Sequence, residues 1–395
     1  MDLRRIAILV SLALGQGACA SCKTSRGSAC GVGAQAVAGD GGGGGVGIDA
    51  AGDGPLDDQA IRAAGVRWFG RVDLTDPDHP RFGWSGTGLL ARFIGSGLSV
   101  SLTNAGPFVF KAVVDGQPQP AWAAVAGTDT YALARGLPAG PHTVALYRQT
   151  EGVFGDSQLA ALTVQSDGPG DGGDDAPALL DPPRLSGRRI DIYGASVSCG
   201  YGDLGASPCG FSFATESSFD TYAGIAARLL DAELNVVAIS GRGVLRNSDG
   251  TTDGTIPLLS QRVLPGAGTP TWDNRAPVQA VVINLGKNDL ATGDPGQPFV
   301  DAYAAFARTL RGRYPGAIIV AATGPNLGAP AHALQLAYVT QAIARRQAEG
   351  DDRLLLLDWP EETPAEEGCD GHPNAAKHQA MGEALAALLA PALGW

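Results

Sequence analysis

Arg188-Arg-Ile-Asp-Ile-Tyr-Gly-Ala-Ser196-Val-Ser-Cys-Gly-Tyr-Gly202 is the stretch on which the reading of this chain turns. It opens as a strand, because Ile190, Ile192 and Tyr193 favour extended backbone, and it breaks at Gly194. Ser196 follows at once, then a glycine-rich run. A hydroxyl placed where a buried strand ends stands at a sheet's carboxyl edge, where open α/β sheets bind ligands. A free serine is protonated and a weak nucleophile, so the rest of the chain must supply a base and an oxyanion hole.

Downstream of Arg188, short apolar runs alternate with amphipathic helical patterns. Strands are expected at Leu234–Ile239, Ala280–Leu285, Ala317–Ala322 and Leu354–Trp359. Helices are expected around Tyr222–Leu230, along the face formed by Tyr303, Phe306, Ala307, Leu310 and Tyr314, around Ala333–Gln347, and from about Ala375 to Leu389. This alternation predicts an α/β fold with a parallel sheet covered on both sides. Each strand end then carries something. Ser240-Gly-Arg-Gly243, Gly286-Lys-Asn-Asp289 and Gly368-Cys-Asp-Gly-His-Pro373 all fall on the Ser196 edge if the strands are parallel.

The chemistry accounts for these residue types. His372 can take the Ser196 proton and return it to a leaving alcohol. The backbone N–H groups of Ser196 and Gly241 and the amide of Asn288 can bind a tetrahedral oxyanion, each donor being worth about 10²–10³ in rate. Taken singly the signals are weak: Asn288-Asp289 also fits a plain helix cap, and His372 a loop histidine. Of the five histidines, only His372 stands between a terminal strand and a terminal helix. Order and placement together favour a serine hydrolase site.

Upstream, Ile61 to Val164 has period two. Leu98-Ser-Val-Ser-Leu102 alternates, Val109–Val114 runs into an Asp115-Gly116 turn, and His142–Tyr147 and Leu159–Val164 read as further strands. Turn residues recur about every ten positions, which predicts an all-β sandwich or jelly roll. Trp68, Phe69, Phe82, Trp84 and Trp122 are candidates for stacking on sugars, with core packing as the competing reading. Ser166–Pro183 is rich in Gly, Asp and Pro and reads as a linker.

At the N-terminus, Arg4 and Arg5 precede a short apolar run, Ile6–Leu14, and small residues at Gly17, Ala18 and Ala20. This reads as an export signal, the run being about half of the roughly 20 residues a membrane span needs. Lipoprotein-type cleavage, anchoring the chain through Cys19, and plain cleavage near Ala20 both fit. Ala34–Asp57, with five glycines at Gly41–Gly45, reads as a flexible tether. The expected segments are therefore signal (1–22), tether (23–58), β domain with trailing linker (59–182) and catalytic domain (183–395). Apolar content of 44% supports a sizeable core, and a net charge of −12 with no basic cluster excludes a nucleic-acid groove. No repeat or coiled coil suggests an oligomer, so a monomer is expected. Cys199, Cys209 and Cys369 fall in the folded part, and an exported chain permits a disulfide. Cys199–Cys209, closing a short loop beside Ser196, is the preferred pair; three reduced thiols are the alternative.

The stretches around Ser196, Gly241, Asn288 and His372 resemble the four conserved blocks of the SGNH (GDSL) hydrolases, and no Gly-x-Ser-x-Gly elbow is present. Val66–Asp73, Pro80–Gly86, Val114–Gly116 and Gly140–Val144 resemble the N-terminal jelly roll of carbohydrate esterase family 2, as do Cys199–Gly202 and Phe213–Glu216 in the second domain. The resemblance implies an SGNH three-layer sandwich behind a jelly roll. It implies removal of O-acetyl groups from polysaccharides such as xylan or mannan, with no metal or organic cofactor. An SGNH esterase on other short-chain acyl esters and a non-catalytic glycan-binding surface protein are the alternatives. The chain departs from the pattern in four places. Ala195 stands where the family carries Asp, and Lys287 where Thr is usual. Cys369 stands where the superfamily has its triad Asp, leaving Asp370 two residues before His372. Gly371 replaces an aromatic. A Ser196–His372 dyad oriented by a backbone carbonyl, or a triad completed by Asp370, are both open.

Overall fold

The structure is a computed structural model and describes residues 66–166, 176–183, 185–266, 268–273 and 277–395. The expected export signal, Cys19 and the expected glycine-rich tether lie outside the described residues.

Among the described residues, twelve strands precede Ser196's strand. They are β1 (Val66–Phe69), β2 (Val72–Asp73), β3 (Arg81–Phe82), β4 (Gly88–Ile94), β5 (Gly97–Asn104), β6 (Phe108–Val114), β7 (Gln117–Pro118), β8 (Trp122–Ala124), β9 (Gly127–Ala134), β10 (Pro141–Arg148), β11 (Ser157–Gln165) and β12 (Ala178–Leu180). One antiparallel sheet runs β1-β4-β10-β6-β7, with β12 also on β4 and β8 also on β6; the other runs β2-β3-β11-β5-β9. Alternation puts Leu89, Ala91 and Phe93 of β4 and Leu98, Val100 and Leu102 of β5 into one core between the sheets. Trp68, Phe69, Phe82 and Trp84 are buried. Trp122 is half-buried and stacked on Phe110 and Tyr131, with ring centroids 5.1 and 4.4 Å apart. The four buried rings are packing residues, and Trp122 packs on its two neighbours.

The stretch expected to be a featureless linker contains β12. It pairs with Arg92–Ile94, extending the ladder along β4 just where β1, paired with Gly88–Ala91, stops. A three-residue strand is too short to show a period, so only its partner reveals it.

The second part holds β13 (Arg189–Gly194), β14 (Glu233–Ala238), β15 (Ala280–Asn284), β16 (Ile318–Thr323) and β17 (Leu354–Asp358), all parallel, in the order β14-β13-β15-β16-β17. Its helices are α1 (Ser196–Cys199), α2 (Tyr222–Leu229), α3 (Ile256–Leu259), α4 (Lys287–Leu290), α5 (Gln297–Arg313), α6 (Ala329–Ala348) and α7 (Ala375–Leu393). Tyr193, Val237 and Ile283 face α5 and α6 on one side; Ile192, Val236 and Val282 face α2 and α7 on the other. The result is the SGNH-hydrolase three-layer sandwich behind an antiparallel β domain. Strand order reverses at β13, so the crevice between β13 and β15 opens beside Ser196.

The two folded parts share one compact unit. Trp84 leaves the β domain to join the α/β core, and its indole N–H donates to the Val263 carbonyl at 2.9 Å. Arg71 donates to the carbonyls of Ser260 (2.8 Å) and Arg262 (2.7 Å), and Arg67 pairs with Glu233 at 2.8 Å. Trp84→Ala should therefore cost about 3–5 kcal/mol. Thermal unfolding followed by circular dichroism should remain one transition in wild type and variant. Two well-separated transitions in the wild type would contradict the shared core.

Candidate active site

Ser196 opens α1 directly after β13 and is buried. The turn is tight because Gly194 has no side chain: a Cβ there would meet Ser198 Oγ at 1.9 Å. Ser198 in turn shares a 2.7 Å hydrogen bond with the Tyr222 hydroxyl, which pins α1 to α2. Ala195 sits at the N-cap and offers no side-chain acceptor to the helix.

His372 arrives from the far end of the chain. Its Nε2 lies 2.8 Å from Ser196 Oγ. Its Nδ1 lies 3.2 Å from the Asp370 carbonyl oxygen. A carbonyl can only accept, so Nδ1 carries the proton and Nε2 is free to accept from the serine hydroxyl. The Asp370 carboxylate is turned away and accepts from the Tyr201 hydroxyl and the Phe211 N–H, both at 2.9 Å. The Tyr201 ring packs on the imidazole at 4.3 Å between centroids. Asp370 thus touches the histidine through its backbone, in a left-handed conformation with φ +52°, and through Tyr201. Of the two arrangements left open by the sequence, the geometry is that of a dyad.

The loop bearing His372 is tied down by a disulfide, but not the expected one. Cys209 bonds Cys369, with Cα atoms 4.6 Å apart, while Cys199 is free and buried. Cys199 cannot reach Cys209 because it closes α1 with its thiol inside the core, 3.7 Å from Glu151 Oε2. Cys369 thus supplies a covalent anchor for this loop. Two backbone contacts reinforce it: Cys369 N–H to the Gly202 carbonyl (3.0 Å) and Asp370 N–H to the Cys209 carbonyl (2.8 Å).

The remaining two positions converge as well. Ile239–Arg242 is a turn closed by the Arg242 N–H on the Ile239 carbonyl at 3.2 Å. Gly241 is its third residue, with φ +78°, the signature of a type II turn. Asn288 lies on α4, one of its amide hydrogens donated to the Arg242 carbonyl at 2.7 Å, which leaves the second for a ligand. Sequence reasoning weighed Asp289 only as a cap. Its buried carboxylate accepts the N–H groups of Val244 (3.1 Å), Leu245 (2.7 Å) and Arg246 (3.0 Å), so it holds the chain that follows Gly241. Burial pushes its pKa up against the pull of those three donors.

The electrostatics favour the neutral imidazole. Burial first, and then the Lys287 charge, push the His372 pKa down to about 4. A depressed histidine is neutral above that value and loses its basic form only as the pH falls through it. Any reaction using His372 as base should therefore keep an acid limb of kcat/KM well below the ordinary histidine range. Lys287→Met should move that limb to higher pH. A wild-type limb at the ordinary histidine value, unmoved by Lys287→Met, would contradict this electrostatic picture.

Aromatic rings continue outward from the site. Tyr201 packs on Phe211 at 4.6 Å, and Phe211 on Phe154 at 5.7 Å. Phe154 also meets Phe213 at 4.8 Å and is 39% exposed. These are rings the sequence reading did not single out.

Comparison with known proteins adds to the geometry. Residues 68–169 match the family described as carbohydrate esterase 2 N-terminal, and residues 192–380 the GDSL-like lipase/acylhydrolase family. The chain is 35% identical over 338 residues to the cellulase/esterase CelE of Acetivibrio thermocellus, which covers 84% of this chain but only 40% of that protein. It is 26% identical over 335 residues to an acetylxylan esterase/glucomannan deacetylase of Cellvibrio japonicus, covering 84% and 89% of the two. A family two carbohydrate esterase from Clostridium thermocellum, solved with cellohexaose, superposes with a TM-score of 0.78 at 33% identity, covering 84% of this chain and 99% of that one. Its counterpart from Cellvibrio japonicus gives 0.74 at 25% identity, covering 85% and 97%.

Proposed function

The chain belongs to carbohydrate esterase family 2 and is a carboxylic-ester hydrolase, and on that premise we propose that it is an exported enzyme removing O-acetyl groups from polysaccharides of the xylan or mannan type. The observation that carries the reading is the 2.8 Å contact between Ser196 Oγ and an imidazole whose other nitrogen is committed to a carbonyl. Ser196 Oγ attacks the acetyl carbonyl carbon while His372 Nε2 takes its proton. The Ser196 and Gly241 N–H groups and the free Asn288 amide hydrogen receive the oxyanion. Collapse breaks the bond to the sugar oxygen, which leaves with the proton from His372. A water, deprotonated by His372, then attacks the acetyl-serine; acetate departs and the serine hydroxyl is restored.

The substrate class rests on two supports. The relatives named above act on acetylated xylan and glucomannan or were solved with cellohexaose. Phe154, the exposed ring at the outer end of the row that runs from His372 through Tyr201 and Phe211, offers an apolar edge for a pyranose ring near the site. Export agrees with the signal-like N-terminus and with a disulfide, which persists in oxidising compartments. No helix among the described residues is long and apolar enough to cross a membrane.

Wild type should release acetate from acetylated xylan and from acetylated glucomannan. Ser196→Ala should lower that rate by more than about a thousandfold. Retention of more than about a tenth of the rate would remove Ser196 as nucleophile. Turnover of short aryl esters without release from either polysaccharide would keep the serine site and replace the substrate.

A further inference from the structure

The chain leaving β10 buries four consecutive polar side chains: Arg148, Gln149, Thr150 and Glu151. Burying polar groups is unfavourable unless each finds partners, and here they do. Arg148 donates to the carbonyls of Thr150 (3.0 Å), Gly155 (2.7 Å) and Glu151 (3.4 Å), and its guanidinium lies 3.9 Å from the centroid of the Phe108 ring. These contacts freeze the loop's own backbone. Gln149 and Glu151 instead reach across into the α/β part. Gln149 Oε1 accepts the Ser217 hydroxyl (2.9 Å) and the Phe219 N–H (3.0 Å). Glu151 Oε2 accepts the Ser240 N–H at 2.7 Å and the Cys199 thiol at 3.7 Å. Glu216 backs the arrangement, its Oε1 accepting the Glu151 N–H at 3.3 Å.

Both partners of Glu151 Oε2 stand beside the reacting groups. Cys199 closes the helix that Ser196 opens. Ser240 is the second residue of the type II turn whose third residue is Gly241. The peptide between those two residues carries the Gly241 N–H, and it is the peptide that turns over when a type II turn becomes type I. Its two flanks are held: the Ser240 N–H by Glu151, and the Gly241 carbonyl by the Ser248 N–H at 2.8 Å.

We propose that Glu151 is a positioning residue, a carboxylate from the β domain that locks Ser240 and so aims the Gly241 N–H at the oxyanion. The β domain is then a working part of the esterase site. This rests on the esterase reading given above.

The test is steady-state hydrolysis of an aryl acetate by Glu151→Leu, which removes the acceptor, and Glu151→Gln, which keeps an amide oxygen for the Ser240 N–H, with Ser196→Ala alongside. Misaiming one oxyanion donor should lower kcat of Glu151→Leu by about 10- to 100-fold, with KM changed less than about twofold. Glu151→Gln should recover part of that loss. If Ser196→Ala is inactive and folded Glu151→Leu keeps kcat within about twofold, or changes KM alone, the positioning role is overturned while the esterase reading stands. If Ser196→Ala stays active, the reaction scheme with Ser196 as nucleophile falls and the proposal with it. Amide exchange in the wild type tests the contact without any variant. The Ser240 amide should exchange slowly, and exchange as fast as an unprotected loop amide would overturn the proposal even if both Glu151 variants fail to fold.

Discussion

The hydrogen bond between Ser196 and His372 joins residues 176 positions apart, and much of the molecule serves to hold its two ends. On the serine side, the side chain absent at Gly194 lets α1 pack hard against the end of β13, and Ser198 and Tyr222 pin the helix. On the histidine side only a short 3-10 turn, Cys369–Gly371, precedes the imidazole, so restraint comes from the Cys209–Cys369 bridge, from backbone contacts to Gly202 and Cys209, and from the Tyr201 ring. A loop that would otherwise sample many conformations is thereby held to the one in which Nε2 faces the hydroxyl. Orientation of this kind is what converts two ordinary side chains into a nucleophile and its base.

Three carboxylates take part, the exposed Asp370 and the buried Asp289 and Glu151, and none of them faces the imidazole. Asp370 holds Tyr201 and Phe211. Asp289 gathers three N–H groups behind the Gly241 turn, and Glu151 takes the N–H in front of it. Each acts on the backbone, whose N–H groups are the natural donors to an oxyanion. In the proposed mechanism these acids organise donors, and the imidazole is kept neutral by burial and by Lys287. That division leaves the imidazole oriented by the Asp370 carbonyl, with no carboxylate on it.

The sheet, the covering helices and the four strand-end blocks were legible because they depend on local patterns: apolar runs, helical periods and glycines at strand ends. The β domain was legible from period two. Pairings were less so. The choice of Cys369 over Cys199 as the partner of Cys209 depends on which thiol the fold buries, and no spacing records that. β12 exists only because β1 stops short along β4. Arg148–Glu151 resembles any polar stretch after a strand, and its burial follows from a second domain packing over it. Trp84 looked like a candidate sugar-stacking ring and is the plug between the two cores. The rings beside the site, the exposed Phe154 and the half-buried Phe211 among them, come from separate loops and meet only in the fold.

The most direct measurement of the central assignment is the site of the covalent intermediate. The enzyme would be mixed with excess aryl acetate, quenched in acid within the first turnover, digested and mapped by mass spectrometry. An acetyl group on the peptide carrying Ser196, absent from the same peptide of an unreacted control, is the predicted result. Burst release of the aryl alcohol with the acetyl group on any other residue would contradict the assignment of Ser196 as nucleophile.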